Sequence, residues 1–213
     1  MSWEDELKKA VAEGDEVAAD RVAAEALDGG APALEVLEKG AVAGIYDAGR
    51  LWQEGEYFLP DIILATEAFN AAMKRLEPLL EEGAAGEKGT VAIGSVAGDA
   101  HDLGKNIVTA MLRSARYRVI DLGIDVSADR FVEAARQHGA DAVGMGAYMT
   151  TTMRNMEGII AALADAGLRD SVKVVVGGAA VTREYAEAIG ADGYAADAAE
   201  AVTLLDRLLG KGA

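Results

Sequence analysis

A histidine flanked by carboxylates stands in one short loop of the chain: Asp99, His101 and Asp102, with Gly98 and Gly104 on either side. A neutral imidazole is a good ligand for a transition metal. A neighbouring carboxylate can hold its other ring N–H, which fixes the tautomer and raises its basicity. Asp99 can do this within one loop, and the glycines let the backbone approach a bound group closely. These residue types predict a metal or cofactor site.

The elements around this loop place it where an α/β domain binds ligands. Residues 89–96 (GTVAIGSV) are apolar and β-branched, which indicates a buried strand, whereas residues 105–115 have helical spacing. The loop therefore lies at the carboxyl end of a strand. In a simpler interpretation, His101 is a polar loop residue and the aspartates cap the following helix.

From residue 89 onward, strand-like and helical segments alternate five times. This pattern predicts a parallel sheet covered by helices on both faces, with right-handed crossovers. A flavodoxin-like strand order, 2-1-3-4-5, brings the loops after strands one and three to the same crevice. The predicted strands are 89–96, 118–122, 142–145, 172–176 and 192–195, and the predicted helices are 105–115, 128–138, 152–166, 183–189 and 198–209.

The first 80 or so residues predict a different fold, because apolar residues recur there at helical spacing without a convincing strand. Four helices are expected, typical of a small bundle. Asp15 is an expected N-cap, Gly29 and Gly30 break the chain, and Pro32 and Pro60 begin the third and fourth helices.

The stretch EEGAAGEK is charged and contains glycine without periodicity, so it predicts a linker. The domains are expected at 1–83 for the helical bundle and 89–213 for the α/β domain, with the linker at 84–88.

The composition excludes several classes of protein. A net charge of −16 would repel phosphate backbones, which argues against a nucleic-acid partner. The absence of cysteine excludes disulfides and thiolate sites, and one histidine in a site argues against a zinc centre built from protein ligands alone. No apolar run reaches the roughly 20 residues that span a bilayer, and the first residues are unlike a signal peptide, so we expect a cytoplasmic protein.

The segment GDAHDLGKNIV resembles the cobalamin-binding segment of corrinoid proteins. The resemblance is to the B12 domain of methionine synthase and, more closely, to the small corrinoid proteins that serve methyltransferases. Later segments of the chain resemble further blocks of the family in the same order, so the likeness covers nearly the whole sequence. These segments are YRVIDLGIDVSADRFVEAARQHGADAVGMGAYMTTTM, VKVVVGGAAVT and IGADGYAADAAEAV. Cobalt in a corrin ring arrives in its own macrocycle and needs only one protein ligand.

The resemblance implies roles for the His101 loop. His101 replaces the cofactor's own nucleotide base as the lower cobalt ligand, an arrangement called base-off/His-on, and Asp99 is its hydrogen-bond partner. Thr152 matches a hydroxyl-bearing residue that extends this proton relay. Alternatively, Thr150, Thr151 and Thr152 only cap the following helix.

The displaced nucleotide tail is expected in a channel beside the sheet. Gly104 lets the tail pass, and Gly177 and Gly178 accommodate its base, although a glycine pair after a strand also suits an ordinary turn. Thr182 and Asp197 are weaker candidate contacts. The full set implied to bind the cofactor is Gly98, Asp99, His101, Asp102, Gly104, Gly146, Tyr148, Thr150, Gly177, Gly178 and Thr182.

One segment departs from the family. Where methionine synthase has S-x-L at the end of strand three, this chain has Gly146, Ala147 and Tyr148. The change removes a hydroxyl and adds a phenol. The lower base, or its packing, is therefore expected to differ from the usual dimethylbenzimidazole arrangement.

The helical domain resembles the family's cap, because GRLWQEGEYFLP follows the pattern G-E-x-F-L-P. By this resemblance Trp52 and Leu59 shield the upper axial group, with Ile62 or Ile63 nearby. The alternative is that these side chains form the core of the bundle. An apolar lid would exclude water and stray reactants, and it would have to move at the linker to admit partners.

The function implied is that of a methyl carrier, a cofactor-carrying subunit rather than a complete enzyme. Cobalamin, alternating between cob(I)alamin and methylcobalamin, takes a methyl group from a substrate-specific methyltransferase. It passes the group to a second methyltransferase acting on tetrahydrofolate or a thiol, and a reductive activation protein is a further expected partner. The donor stays open among methanol, methylamines, betaine and aryl ethers.

Three other functions compete with this hypothesis. A B12-dependent sensor needs a DNA-binding module, for which the chain has neither room nor positive charge. The cobalamin subunit of a mutase typically lacks the helical cap. An unrelated flavodoxin-like domain for a phosphate or flavin would hardly need D-x-H-x-x-G together with the later glycine pair.

Overall fold

The computed structural model describes residues 2–81 and 88–211. The chain divides into two compact units, Met1–Gly83 and Ala84–Ala213. Of the expected linker, 84–88, only Lys88 lies within the described residues. No helix among them is long and apolar enough to cross a membrane.

Unit 1 is helical, and side-chain caps define where its first helices begin. The Ser2 hydroxyl accepts a hydrogen bond from the backbone of Asp5, and the predicted Asp15 cap is confirmed because its carboxylate accepts one from Ala18. The elements are α1 (Trp3–Ala12), α2 (Glu16–Asp28), α3 (Ala33–Glu35), a π-helical segment (Val36–Val42), α4 (Ala43–Gln53) and α5 (Leu59–Glu81).

The π-helical segment interrupts the predicted third helix at its contact with α1. A Cβ at Gly40 would lie 2.5 Å from Leu7 Cδ2, and one at Gly44 would lie 2.6 Å from the carbonyl oxygen of Lys8. Glycine at these two positions therefore allows the helices to approach closely. The apolar spacing alone predicts one continuous α-helix, because the spacing contains no information on how closely the two helices approach.

Unit 2 contains a five-stranded parallel sheet, which confirms the predicted fold class. The second strand of the chain is at one edge, followed by the first, third, fourth and fifth. Side chains of the first strand alternate between its faces: Val91 packs in a cluster with Leu112 and Leu204, and Ala92 packs in another with Phe131. Both faces are thus covered, as parallel sheets require. The strands are β1 (Thr90–Ser95), β2 (Arg118–Asp121), β3 (Ala142–Gly146), β4 (Lys173–Gly177) and β5 (Gly193–Ala195).

The helices of unit 2 agree with the prediction within two residues at each end, with one exception. The helix expected over 152–166 begins at Thr150 and divides at Arg154. The Thr152 hydroxyl lies 3.0 Å from the carbonyl oxygen of Met149, the residue before this helix. The helices are α6 (Leu103–Ser114), α7 (Ala128–His138), α8 (Thr150–Met153), α9 (Asn155–Asp165), α10 (Arg183–Ala188) and α11 (Ala198–Leu208).

Candidate cofactor site

The buried carboxylate of Asp99 joins the loops that follow β1 and β3. Its Oδ1 lies 2.7 Å from Nδ1 of His101 and accepts the backbone N–H of the same residue at 3.1 Å. Its Oδ2 accepts the backbone N–H groups of Tyr148 and Met149 at 2.8 and 3.3 Å and the Thr152 hydroxyl at 2.6 Å. The two loops therefore share one buried anion at the carboxyl end of the central strands.

The hydrogen-bond donors around Asp99 keep its carboxylate ionised. Burial acts to raise the pKa of Asp99, but the hydrogen bonds from Thr152, His101 and Tyr148 outweigh it and hold the pKa well below its usual range. An ionised carboxylate is an acceptor only, so the His101 nitrogen facing it carries the proton. The neutral tautomer is thus N–H at Nδ1, with the lone pair on Nε2.

The His101 imidazole is accessible while its partner is not. The side chain of His101 is 49% exposed and that of Asp99 is 1% exposed. The ring of Tyr148 stacks on the imidazole, with centroids 4.2 Å apart and planes 23° apart. Asp99 occupies Nδ1, so Nε2 is the nitrogen available to a metal.

Two residues that the sequence reasoning missed hold the His101 loop. The Ser95 hydroxyl, at the end of β1, donates to the carbonyl oxygen of His101 at 2.7 Å. Asp125 accepts the Gly98 N–H at 2.6 Å through its side chain and donates its own N–H to the Asp99 carbonyl oxygen at 3.1 Å. Polar residues at the carboxyl ends of neighbouring strands are the signal that would have found them.

The interpretation that the aspartates cap the next helix is wrong. Asp102 stands at the N-cap position of α6 and makes no side-chain capping bond. Asp99 accepts from His101 and the β3 loop instead. The buried Thr152 hydroxyl lies within reach of Asp99 Oδ2 and of the Met149 carbonyl oxygen, and α8 begins without a side-chain capping bond, so the capping interpretation is wrong for Thr152. Thr150 begins α8 and is exposed.

The glycines fall into two groups. A Cβ at Gly178, where φ is +111°, would collide with the carbonyl oxygen of Ala147, and one at Gly177 would lie 2.7 Å from that of Ala195. Packing between strand ends therefore demands both glycines, whatever else they contact. Gly104 borders open space, and a Cβ at Gly146 would meet nothing closer than 3.9 Å.

The hydroxyl and carboxylate considered as weaker tail contacts have structural partners. Thr182 accepts the backbone N–H of Tyr185 at 3.2 Å, and Asp197 accepts that of Glu200 at 2.8 Å. They are the N-caps of α10 and α11. These caps account for both residue types without a ligand.

Exposed apolar side chains follow β2 and β3, on the loops that also carry bonds to Asp99. Ile124 is 44% exposed, Met149 is 38% exposed and Tyr148 is 55% exposed. Contiguous exposed apolar patches mark binding surfaces, whereas single exposed apolar side chains are ordinary. The sequence reasoning did not single out Ile124 or Met149.

The expected cap residues of unit 1 divide by exposure. Trp52, Leu59 and Ile63 are 44%, 60% and 50% exposed, so the core interpretation is wrong for these three side chains. Ile62 is partly buried. Leu59 and Ile63 lie four positions apart on α5 and so share one face of that helix.

The donor set around His101 suits a metal that brings its own equatorial ligands. No group of three or more His, Cys, Asp or Glu side chains in the described parts of the chain is arranged to hold a metal ion. A single exposed imidazole nitrogen with its tautomer set by a buried carboxylate is what one axial ligand requires. The residues present therefore fit the corrinoid that the sequence predicts.

Family models and known proteins agree on this cofactor. A model described as B12 binding domain matches residues 89–203, and a second with the same description matches residues 3–77. A corrinoid protein of Desulfitobacterium hafniense (strain Y51) is 42% identical over 214 residues, covering 99% of each chain.

Two solved structures extend the comparison. The Methanosarcina barkeri monomethylamine corrinoid protein is 36% identical with a TM-score of 0.82, covering 95% of this chain and 96% of that one. The methanol:cobalamin methyltransferase complex of the same organism includes a chain that is 29% identical with a TM-score of 0.56, covering 99% of this chain and 80% of that one. The family predicted from the His101 loop is confirmed: the chain belongs to the corrinoid proteins, and its cofactor is cobalamin.

Proposed function

We propose that this chain carries a methyl group on cobalamin between two methyltransferases, with His101 as the lower ligand of a base-off cofactor. One observation carries the proposal: Nδ1 of His101 is held by a buried ionised carboxylate while the ring is half exposed. The names of its relatives support the methyl-carrying role, since they include a monomethylamine corrinoid protein and a methanol:cobalamin methyltransferase complex.

The side chains around His101 supply the proposed proton relay. When bound, the corrin's cobalt supplies a centre that accepts a methyl group from one protein and gives it to another. Asp99 keeps the proton of His101 on Nδ1, so that Nε2 presents its lone pair. The proposed relay runs from His101 through the Asp99 carboxylate to the Thr152 hydroxyl, so a negative charge would lie against the ring while Nε2 holds the cofactor.

Other residues enter the proposal as binding groups. Gly98, Asp102, Gly104, Gly146 and Thr150 are proposed to border the nucleotide tail. Gly177, Gly178 and Thr182 are weaker members of this set, because strand packing and helix capping already account for them. Of these, Gly104 has the most direct support, since space is open beside it.

The exposed apolar side chains of unit 1 are proposed to shield the upper face of the cofactor. Trp52, Leu59 and Ile63 are exposed, which leaves them available for this role, and the partly buried Ile62 is next to Ile63 in the chain. Residues 84–88 are the proposed linker through which such a cap would move.

The partners proposed are a substrate-specific methyltransferase, a methyl-accepting methyltransferase acting on tetrahydrofolate or a thiol, and a reductive activation protein, all in the cytoplasm. The names of the relatives favour methylamines or methanol as the methyl source. A sensor or a mutase subunit is the competing function. Preferential binding of adenosylcobalamin over methylcobalamin would favour those alternatives.

The test is electron paramagnetic resonance of the cobalt(II) state after reconstitution with hydroxocobalamin. We expect splitting from one imidazole nitrogen in the wild type and its loss in His101→Ala. His138→Ala is the matched control, because it removes the other histidine of the chain, at the end of α7, and should keep the splitting. Splitting that survives His101→Ala would refute His101 as the ligand, and a wild type that binds no corrinoid would refute the function.

A further inference from the structure

Tyr148 contacts both members of the His101–Asp99 pair. Its ring stacks on the imidazole with centroids 4.2 Å apart, and its backbone N–H donates to Oδ2 of Asp99 at 2.8 Å. The two contacts use different parts of the residue. A substitution at position 148 can therefore remove the ring and leave the backbone bond in place.

The stack restrains a motion that the hydrogen bond leaves open. The bond between Asp99 and Nδ1 holds one edge of the His101 ring, but the half-exposed imidazole can still tilt about that edge. A second ring lying nearly parallel on its face, 23° from coplanar, blocks this tilt on one side. Stacking also adds attraction between the two rings.

Burial does not explain the choice of tyrosine. The residue is 55% exposed, so most of its ring adds nothing to the core of unit 2. Gly146 and Ala147 before it are small, and a Cβ at Gly146 would meet no atom closer than 3.9 Å. The large ring at position 148 therefore has the imidazole as its main aromatic contact.

We propose that Tyr148 is a positioning residue for His101: its ring preorganises the imidazole so that Nε2 is presented before the cofactor binds. The ligand part of this inference rests on the proposed function. The stack itself does not, because it is made by the protein alone. The two parts are therefore tested on different forms of the protein.

The first test uses proton NMR of the cofactor-free chain. With two histidines in the sequence, His101→Ala assigns the ring resonances, and His138 serves as the internal reference. In the wild type the stacked phenol should shift the His101 ring protons upfield. Tyr148→Leu and Tyr148→Ala should remove this shift, whereas Tyr148→Phe should keep it. Unchanged His101 resonances in the leucine variant would overturn the proposal.

The second test uses the cobalt(II) spectrum of the loaded protein. In Tyr148→Leu the fraction of bound corrinoid that shows nitrogen splitting should fall. The aromatic pair contributes about 0.5 to 1.5 kcal/mol, equivalent to about a two- to tenfold change in the equilibrium constant for His101 ligation. Tyr148→Phe should behave like the wild type, and the split fraction is taken per corrinoid bound, so a change in total binding does not enter the comparison.

The outcomes separate the two hypotheses. Lost NMR shifts together with an unchanged split fraction would overturn the positioning role while leaving His101 ligation intact. No splitting in any protein, the wild type included, would refute the proposed ligand, and the NMR result would still decide whether the stack exists. Circular dichroism of the variants checks that the fold is retained, as expected for an exposed side chain.

Discussion

At the scale of single residues, Asp99 decides the chemistry of the site. Its two oxygens receive donors from opposite sides: His101 at Oδ1, and Tyr148, Met149 and Thr152 at Oδ2. Only a carboxylate accepts at both ends. The tautomer of His101 therefore follows from one buried negative charge.

Asp99→Asn keeps the shape of the side chain and tests this charge. The amide must turn its NH₂ group toward donors on one side, so either the contact with His101 or the bonds from the β3 loop are lost. We expect His ligation to weaken by about 10- to 100-fold, the usual effect of removing a partner of a metal ligand, with corrinoid binding largely retained. Cobalt spectra identical to those of the wild type would contradict this expectation.

At the scale of secondary structure, three loops after neighbouring strands hold one another. The loop after β2 contributes Asp125, whose φ is 52°, a left-handed conformation that is costly for residues other than glycine, asparagine and aspartate. Its two bonds fix the turn at Gly98 and Asp99. The parallel order β2-β1-β3 brings these loops together.

Asp125→Ala and Asp125→Asn should differ in stability. Alanine loses the acceptor for Gly98 and stays in an unfavourable conformation, so we expect a loss of about 1 to 3 kcal/mol in the free energy of unfolding. Asparagine keeps an acceptor oxygen and tolerates the left-handed region, so its loss should be smaller. Urea unfolding measures the free energy of both variants. A loss in the alanine variant no larger than in the asparagine variant would contradict a stabilising role for the bond from Gly98 to Asp125.

A second contact between elements ties the start of β2 to α11. Tyr117 is fully buried and donates to Asp206 at 2.7 Å, while Lys88 pairs with the same carboxylate at 2.8 Å. Burial, together with the Asp206 charge, raises the pKa of the Tyr117 phenol. Tyr117 is therefore neutral when folded at any ordinary pH.

Tyr117→Phe should lower the free energy of unfolding by about 1.5 to 3 kcal/mol at pH 7, because it removes a hydrogen bond to a charged group. A raised pKa stabilises the fold below the unfolded value, about 10, and that stability is lost as the pH rises above it. The difference between wild type and variant should therefore shrink at pH 11. Urea unfolding at both pH values checks this, and a constant difference would exclude the linkage.

At the scale of the whole molecule, the chain consists of two compact units with different structural features. Unit 2 holds the His101 site within a closed hydrogen-bond network, and unit 1 leaves large apolar side chains in solvent. The net charge of −16 disfavours contact with phosphate backbones.

The exposed side chains of unit 1 should matter to the cofactor and not to folding. Leu59→Ser and Ile63→Ser should each change the free energy of unfolding by less than about 0.5 kcal/mol. Phe69→Ala, a fully buried comparison in α5, should cost about 3 to 5 kcal/mol. With cofactor loaded and reduced, the serine variants should be oxidised by air faster than the wild type. Equal oxidation rates would argue against a shielding role.

Much of the fold could be predicted because local patterns repeat. Apolar runs and helical spacing predicted five strand–helix units and their order, and Asp15 was identified as a cap from its position. The π-helical segment at Val36–Val42 and the helix start at Thr150 were not predicted; they lie where tertiary contacts are made, at Gly40 with Leu7 and at Thr152 with Asp99. Neither contact leaves a mark in the local spacing.

The sequence by itself determined the family, the α/β fold and the pairing of Asp99 with His101, because these depend on residues close together in the chain. Only the tertiary structure placed Asp125 and the Tyr148 ring around that pair, and it put the Thr152 hydroxyl, expected there from the resemblance, on Oδ2 of Asp99. They come from loops after other strands, and the parallel sheet brings them within hydrogen-bonding or stacking distance. The hydrogen bonds that these same loops donate to the buried Asp99 keep its carboxyl ionised, which no local sequence pattern specifies.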